Sequence, residues 1–257
     1  MQEHQPMAAH GGMPGAMPMA GGGAAVAHEI THGPSFALLR VDLQPGQTLV
    51  SEAGAMVARS SHLKMDVKMS AGKKPGFFAA IFNIFIAFIR KIMGGESFFV
   101  NHFHGGTPGS VWIAPQMAGE ITYRRINPGE TLILSSGAYL ASVGDIEVKL
   151  KFGGLKSIIA KEGAFMLKVT GSGDLWFNSY GGTTAVDINA PFMIDNGHLV
   201  GYEGQLTMNL KSAGGGLLGF MAGGEGLVCE FNGTGRVYVQ SRNTASLIGW
   251  LTPMLHG

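Results

Sequence analysis

The most recognisable chemical pattern in the chain is His102-Phe103-His104, two imidazoles separated by one residue. In a strand this spacing sets both rings on one face, which is how β-barrel metal sites of the cupin type begin. A carboxylate should follow within a few residues to extend the ligand set. The chain continues instead as Gly105-Gly106-Thr107-Pro108, which is turn material. His102 and His104 are thus candidate metal ligands, set against a reading as packing or surface histidines, and His62 and His198 could join them only through folding. The first 19 residues hold five Met and two His, side chains that suit copper. Their Gly/Ala/Pro/Met setting lacks the means to build a core, so residues 1–28 read as a disordered tail without an export signal.

Three glutamates recur beside glycine or serine ahead of apolar runs: Glu96-Ser-Phe-Phe-Val100, Glu162-Gly-Ala-Phe-Met166 and Glu225-Gly-Leu-Val-Cys229. Gathered on one axis, they would raise a pKa or bind a cation. A carboxylate at a strand entrance also accepts backbone N–H bonds, and a triplicate residue fits that structural role better. By the same alignment Cys229, the single cysteine, takes the place of Val100 and Met166, which predicts a buried small hydrophobe. It has no partner for a disulfide, so a cytoplasmic location is expected. Gly214-Gly-Gly-Leu-Leu-Gly219 lacks the ending of a phosphate-binding loop, and no nucleophile elbow, HExxH or CxxC is present. No catalytic residue and no cofactor are predicted, and the chain reads as non-enzymatic.

These residues sit in a repeated frame. Anchor glycines followed by apolar pairs occur at Gly54-Ala-Met56-Val57, Gly137-Ala-Tyr139-Leu140 and Gly197-His-Leu199-Val200. Nine, eleven and thirteen residues after each glycine stand Leu63, Met65, Val67, then Ile146, Val148, Leu150, then Leu206, Met208, Leu210. Period two with one polar face predicts a strand, and equal offsets predict duplication. Glycine turns are expected at Gly109, Gly173 and Gly235, each followed three residues later by an aromatic: Trp112, Trp176 and Tyr238. Pro45-Gly46 and Pro128-Gly129 predict type II turns that launch strands. The fold class is thus all-β, with sandwich or barrel-like units in three internal repeats (about 36–118, 119–182 and 183–243) and pseudo-threefold symmetry. Residues 29–243 are expected to form one β domain, because no copy is long enough to bury its own apolar face. Residues 244–257 predict a short C-terminal helix, over Thr244 to Leu251, and a tail.

The first copy is the longest between anchor glycine and glutamate, and the excess is an apolar insertion at 73–93. Lys73 and Lys74 precede it, Arg90 and Lys91 follow it, and Phe77, Phe78, Ile81, Phe82, Phe85, Phe88 and Ile89 fill it, interrupted by Asn83. Thirteen helical residues rise about 20 Å against a hydrocarbon core of about 30 Å, so the segment is too short to span a bilayer. It reads as a helix buried in the protomer or an oligomer interface, as an interfacial membrane helix with basic headgroup anchors, or as a docking site for a partner peptide. The equivalent places in the other copies are also apolar, at Leu155, Ile158 and Ile159 and at Leu217, Leu218, Phe220 and Met221.

The 257 residues carry 18 Lys plus Arg against 17 Asp plus Glu, a net charge of +1. No long-range field would steer the chain to nucleic acid, although Trp112, Trp176 and Tyr238 leave single-strand RNA binding as a further alternative. Forty-one glycines and a positive mean hydropathy fit many turns and few solvated helices.

Gly94-Gly-Glu-Ser-Phe-Phe-Val-Asn101, Pro108-Gly109, Ala114-Pro115, the turn at 128–132, Gly223-Gly-Glu-Gly-Leu-Val228 and Val239-Gln-Ser-Arg-Asn243 make the sequence resemble the altered-inheritance-of-mitochondria (AIM) family of mitochondrial biogenesis proteins. The resemblance runs from about Glu29 to Trp250. It implies the fold of the tryptophan RNA-binding attenuation protein (TRAP), with β-rich units of double-stranded β-helix type. It also implies a link to inner-membrane organisation, and it supplies no catalytic residue. Together these readings predict a homo-oligomeric binding or scaffold protein that touches a membrane or membrane partner through 75–93, cytoplasmic or peripheral at the inner membrane. A metal-binding β-barrel enzyme or sensor using His102 and His104 is the alternative.

Overall fold

The computed structural model describes residues 25–69, 99–151, 166–212 and 227–255. The insertion at 73–93, the three repeated glutamates, the equivalent apolar segments and residues 1–24 of the 1–28 tail lie outside these residues; at the end of that tail Val26 is buried, and Ala27 and His28 belong to the first strand. The rest is β structure with one α-helix. The first copy with the residues ahead of it, 25–118, forms a first segment that contributes β1 (Ala27–Thr31), β2 (Leu38–Leu43), β3 (Thr48–Glu52), β4 (Met56–Arg59), β5 (Lys64–Met69), β6 (Phe99–His104) and β7 (Gly109–Ile113). The second contributes β8 (Ile121–Ile126), β9 (Thr131–Ser135), β10 (Tyr139–Lys151) and β11 (Met166–Asn178). The third contributes β12 (Thr183–Ile188), β13 (Phe192–Asp195), β14 (Leu199–Ser212) and β15 (Leu227–Gln240), followed by α1 (Thr244–Leu255).

One set of antiparallel pairings recurs along the chain. In the second segment β11 pairs with β8, β9 and β10, and in the third β15 pairs with β12, β13 and β14. In the first the same partners are divided: β7 pairs with β2 and β4, while β6 pairs with β3 and β5. Adjacent segments join through β3 on β10 and β9 on β14. The result is a four-stranded sheet in the order β1-β2-β7-β4 and an eleven-stranded sheet whose main path is β12-β15-β14-β9-β11-β10-β3-β6-β5. Neither path closes on itself, so among the described strands the body is open-sheeted and not a closed barrel.

Glycine explains why one segment has more strands than the others. Gly173 and Gly235 lie inside continuous strands, facing Gly144 and Gly204 across the ladder, and are not turns between strands as the sequence suggested. The facing glycines put no side chain at this point of the 13- and 14-residue strands, and Gly144 and Gly204 take φ +107° and +95° there, so the strands run on unbroken through an irregular backbone. The first copy has Ser61 at the position of Gly144, and there the strand breaks into β4 and β5. Glycine marks turns and strand bends alike, so sequence alone could not separate them. The Pro-Gly turns do form, with Gly46 and Gly129 at φ +82° and +88°, a region open to glycine at little cost.

The core consists of three clusters, two of which join residues of adjacent segments. Trp176 of the second segment is buried with Leu39, Val41, Phe103 and Val111 of the first, and Tyr238 of the third is buried with Leu132, Leu134 and Phe177 of the second. Each repeated aromatic thus fills the core of the preceding segment. Trp112 has no preceding segment to enter and lies half-buried, with the Arg40 guanidinium 5.5 Å above its ring. The third cluster centres on Cys229, Phe231, Tyr202 and Ile194.

Ladder partners also correct one equivalence. Glu52, Ser135 and Asp195 pair with Val100, Met166 and Val228, so Cys229 matches Leu167 and not Met166. Counting from the repeated glutamates gives a register one residue out in the third copy, and a slip of one places a side chain on the opposite face. Cys229 and Leu167 are nevertheless both buried. Burial pushes the Cys229 thiol up to about 12, with the Asp195 charge adding to the shift.

Candidate functional site

A histidine and a carboxylate come together on the β5–β6 hairpin, with a second histidine opposite in the ladder. Asp66 stands opposite His102 in the ladder, and His104 Nε2 lies 3.0 Å from Asp66 Oδ2. The carboxylate missing from the sequence after His104 is therefore supplied from 38 residues away. This set remains small. Among the described residues no three His, Cys, Asp or Glu side chains converge as a metal cage requires. His62 Nε2–H donates to the Pro108 carbonyl (2.9 Å) and His198 Nδ1–H to the Gln240 carbonyl (2.7 Å), so folding does not bring these rings to His102 and His104.

Charged groups of the second and third segments are mutually engaged. Arg124 donates to Glu203 at 3.0 Å and to Glu130 at 3.3 Å, while Tyr238 donates to Glu203 at 2.7 Å. Burial and the Glu203 hydrogen bond push the Tyr238 phenol up to about 12. Asp174 is buried and accepts from Val26 N (2.9 Å), Tyr123 Oη (2.7 Å) and Arg125 Nη1 (2.7 Å). Burial, then the bond to Asp174, pushes the Tyr123 phenol up to about 12. With Trp176 fully buried and Tyr238 nearly so, neither offers a face for base stacking.

A cavity of about 730 Å³ lies where the anchor turns meet. Its wall contains Glu52, Ser135, Ser136 and Gly137, Asp195 to Gly197, Asn178, Tyr180 and Gln240, and the first residues of α1. Asp195 accepts from Gly197 N at 2.8 Å, and Asn243 accepts from Ala245 N at 2.8 Å, which caps α1 at the rim. Gln240 bridges two turns, accepting from Tyr180 N and donating to the Gly197 carbonyl, both at 2.9 Å.

None of the proposed surface residues Lys73, Lys74, Phe77, Phe78, Ile81, Phe82, Phe85, Phe88, Ile89, Arg90 and Lys91 lies among those described. What the structure gives is the base from which they depart. The three hairpins stay paired up to Met69 and Phe99, Lys151 and Met166, and Ser212 and Leu227. Each apolar segment of the sequence therefore connects two strands that are paired to their ends. On the hairpin that leads to 73–93, Met65 and Val67 are 39% and 62% exposed. Their counterparts Val148, Met208 and Leu210 pack against the core. α1 likewise has no buried residue and no charged residue, and leaves Ile248, Trp250, Met254 and Leu255 exposed.

The family model for mitochondrial biogenesis AIM24 matches residues 28–242. The chain belongs to the AIM24 family. An uncharacterised protein of Streptococcus pyogenes serotype M6 is 27% identical over 219 residues, which covers 84% of this chain and 86% of that protein. A crystal structure of another Streptococcus pyogenes protein superposes with a TM-score of 0.71 at 23% identity, covering 89% of this chain and 99% of that one. This second likeness is one of fold. As an AIM24 protein the chain has a mostly β body, and no helix among its described residues is long and apolar enough to cross a membrane.

Proposed function

We propose that this AIM24 protein is a non-catalytic scaffold that assembles as a homo-oligomer in the cytoplasm and meets the surface of the inner membrane through the 75–93 segment. The observation that carries the reading is the exposed pair Met65 and Val67, on the hairpin that leads into that segment. Val148, Met208 and Leu210 at the equivalent positions of the other hairpins pack against the core, so among the described residues the apolar surface continues from the β body toward the insertion at this place. Lys73, Lys74, Arg90 and Lys91 then flank Phe and Ile as headgroup anchors do. The segment is too short to span, which fits contact in the plane of the interface.

Flotation with vesicles containing anionic lipid tests the membrane part, and chemical crosslinking tests assembly. The wild type floats with the vesicles, and the triple variant Phe82→Ser, Phe85→Ser, Phe88→Ser stays in the dense fraction. Flotation and crosslinking that are both unchanged in that variant refute the proposal. The contact is partly electrostatic, so flotation weakens as salt is raised from 50 to 500 mM, concentrations that shorten the screening length from roughly 14 to 4 Å.

A further inference from the structure

Each of the first two segments is joined to the next by the same contact. Residues 49–51 of β3 pair with 141–143 of β10, and residues 132–134 of β9 pair with 201–203 of β14. Counted from the anchor glycines, both joints set the residues three to five before one glycine against those four to six after the next. The same count from Gly197 and Gly54 leads to residues 192–194 of β13 and 58–60 at the end of β4. Neither edge is used in this way: among the described strands β13 pairs only with β15, and β4 only with β7.

The side chains at these two edges add an independent observation. Leu49 and Leu132, five residues before their glycines, lie in the core, whereas Phe192 at that place in the third segment is 41% exposed and Met193 beside it 61%. The pair after the anchor glycine is buried as Tyr139-Leu140 and as Leu199-Val200, yet Met56 and Val57 are 37% and 58% exposed. Trp112 is half-buried where Trp176 and Tyr238 fill the core of a preceding segment. The apolar residues that a joint covers are thus present at both open edges, and there they face water. An unpaired strand edge flanked by apolar side chains is a template for another strand.

We propose that a second copy of this chain completes the joint. β13 of one copy pairs antiparallel with β4 of the next, with Ile194 opposite Ala58, Met193 opposite Arg59 and Phe192 opposite Ser60. The partner must present the complement of the β13 edge, and the chain makes that complement twice within itself, in β10 and β14. The four-stranded sheet β1-β2-β7-β4 then gains β13, β15 and β14 of a neighbour, as β11 and β10 are continued by β3, β6 and β5 inside the chain. The two surfaces differ, so the contact is heterologous and repeats from copy to copy until a ring closes or a filament grows. The inference rests on the assembly part of the proposed function and shares no residue with its membrane part.

Light scattering on the full-length protein as it leaves a size-exclusion column is the test. Wild type runs at a multiple of 27.0 kDa. Val57→Lys charges the β4 edge, and Phe192→Lys with Met193→Lys charges the β13 edge, all at side chains exposed in the lone chain. Each variant therefore folds and runs at 27.0 kDa, its copy-to-copy dissociation constant raised about a hundredfold or more. Mixed in equal amounts, the two variants give a dimer of twice that mass and nothing larger, because each keeps the edge that the other has lost. A wild type of 27.0 kDa at about 0.1 mM overturns the joint and the assembly reading together. Variants as oligomeric as wild type, or a mixture that forms no dimer, overturn the joint alone and leave assembly through another surface standing. Where a variant fails to fold, hydrogen exchange in the wild type decides. Amides of 56–60 and 192–195 exchange more slowly as protein concentration rises, and exchange that ignores concentration overturns the proposal.

Discussion

Replacing Asp174 by alanine tests whether the buried carboxylate holds the N-terminal strand to the second segment. The Asp174 side chain is 4% exposed and accepts from Val26, Tyr123 and Arg125 at 2.7–2.9 Å. A hydrogen bond to a charged group contributes about 1.5–3 kcal/mol. Three such bonds set an upper limit that two effects reduce. Arg125 is 25% exposed and regains water once its partner is gone, and removing the carboxylate also removes its own desolvation penalty. A loss of about 3 kcal/mol remains, the lower end for breaking a buried pair. For a chain of this size that lowers Tm by roughly 6–12 °C. The exposed Arg40–Asp42 pair is the internal control, because its side chains are 44% and 36% exposed and Arg40→Ala should cost no more than about 1 kcal/mol. Thermal and urea unfolding followed by circular dichroism measure both. Asp174→Ala within 1 kcal/mol of wild type, or Arg40→Ala as damaging as Asp174→Ala, refutes the reasoning.

Tyr123 and Tyr238 are pushed from 10.0 to about 12, and Tyr139 still higher, by burial above all. A raised pKa means the folded state favours the neutral phenol. This contribution is complete below pH 10 and is lost as pH climbs through about 12; a tyrosinate absorbance titration in which all five tyrosines ionise near pH 10 in the native protein would contradict it. Cys229, fully buried and with its thiol pushed up, should give no Ellman reaction in native protein and one thiol per chain in denaturant. Gly171 has φ +116°, and a methyl there would overlap the Asp145 carbonyl oxygen, so Gly171→Ala should cost on the order of 3 kcal/mol; unfolding in urea reads the loss.

The repeat was legible because turn glycines, aromatics and alternating apolar residues keep their spacing, and each of these signals is local. Where two local signals coincide, the sequence was ambiguous: glycine at 173 and 235 lies inside a continuous strand, and only the facing Gly144 and Gly204 distinguish that from a turn. The register of Cys229 shows the same limit, since a count from Glu225 differs by one from the ladder that pairs it with Ile194. Long-range encounters left no trace in spacing. Asp66 reaches His104 only because β5 and β6 pair, and the cavity wall draws on three turns separated by 83 and 60 residues. One signal for the cavity was present all the same. At the positions of Glu52, Ser135 and Asp195 an otherwise faithful frame changes chemistry, and divergence inside a repeat marks the place where the copies stop doing the same job.

The facing glycines have a mechanical consequence. From Gly144 to Lys151 and from Gly204 to Ser212 each hairpin runs seven or eight residues beyond its glycine pair, a reach of roughly 23–26 Å at about 3.3 Å per residue. That stretch is tied on its other side as well, because Met166 to Thr170 also pair with β9 and Val228 to Phe231 with β13. Leu167, Val169, Cys229 and Phe231 are buried there, so any shift at a glycine pair must move core residues along with the strands. Two hydrogen atoms where other residues carry a side chain thus set the path of a ladder that packing then holds.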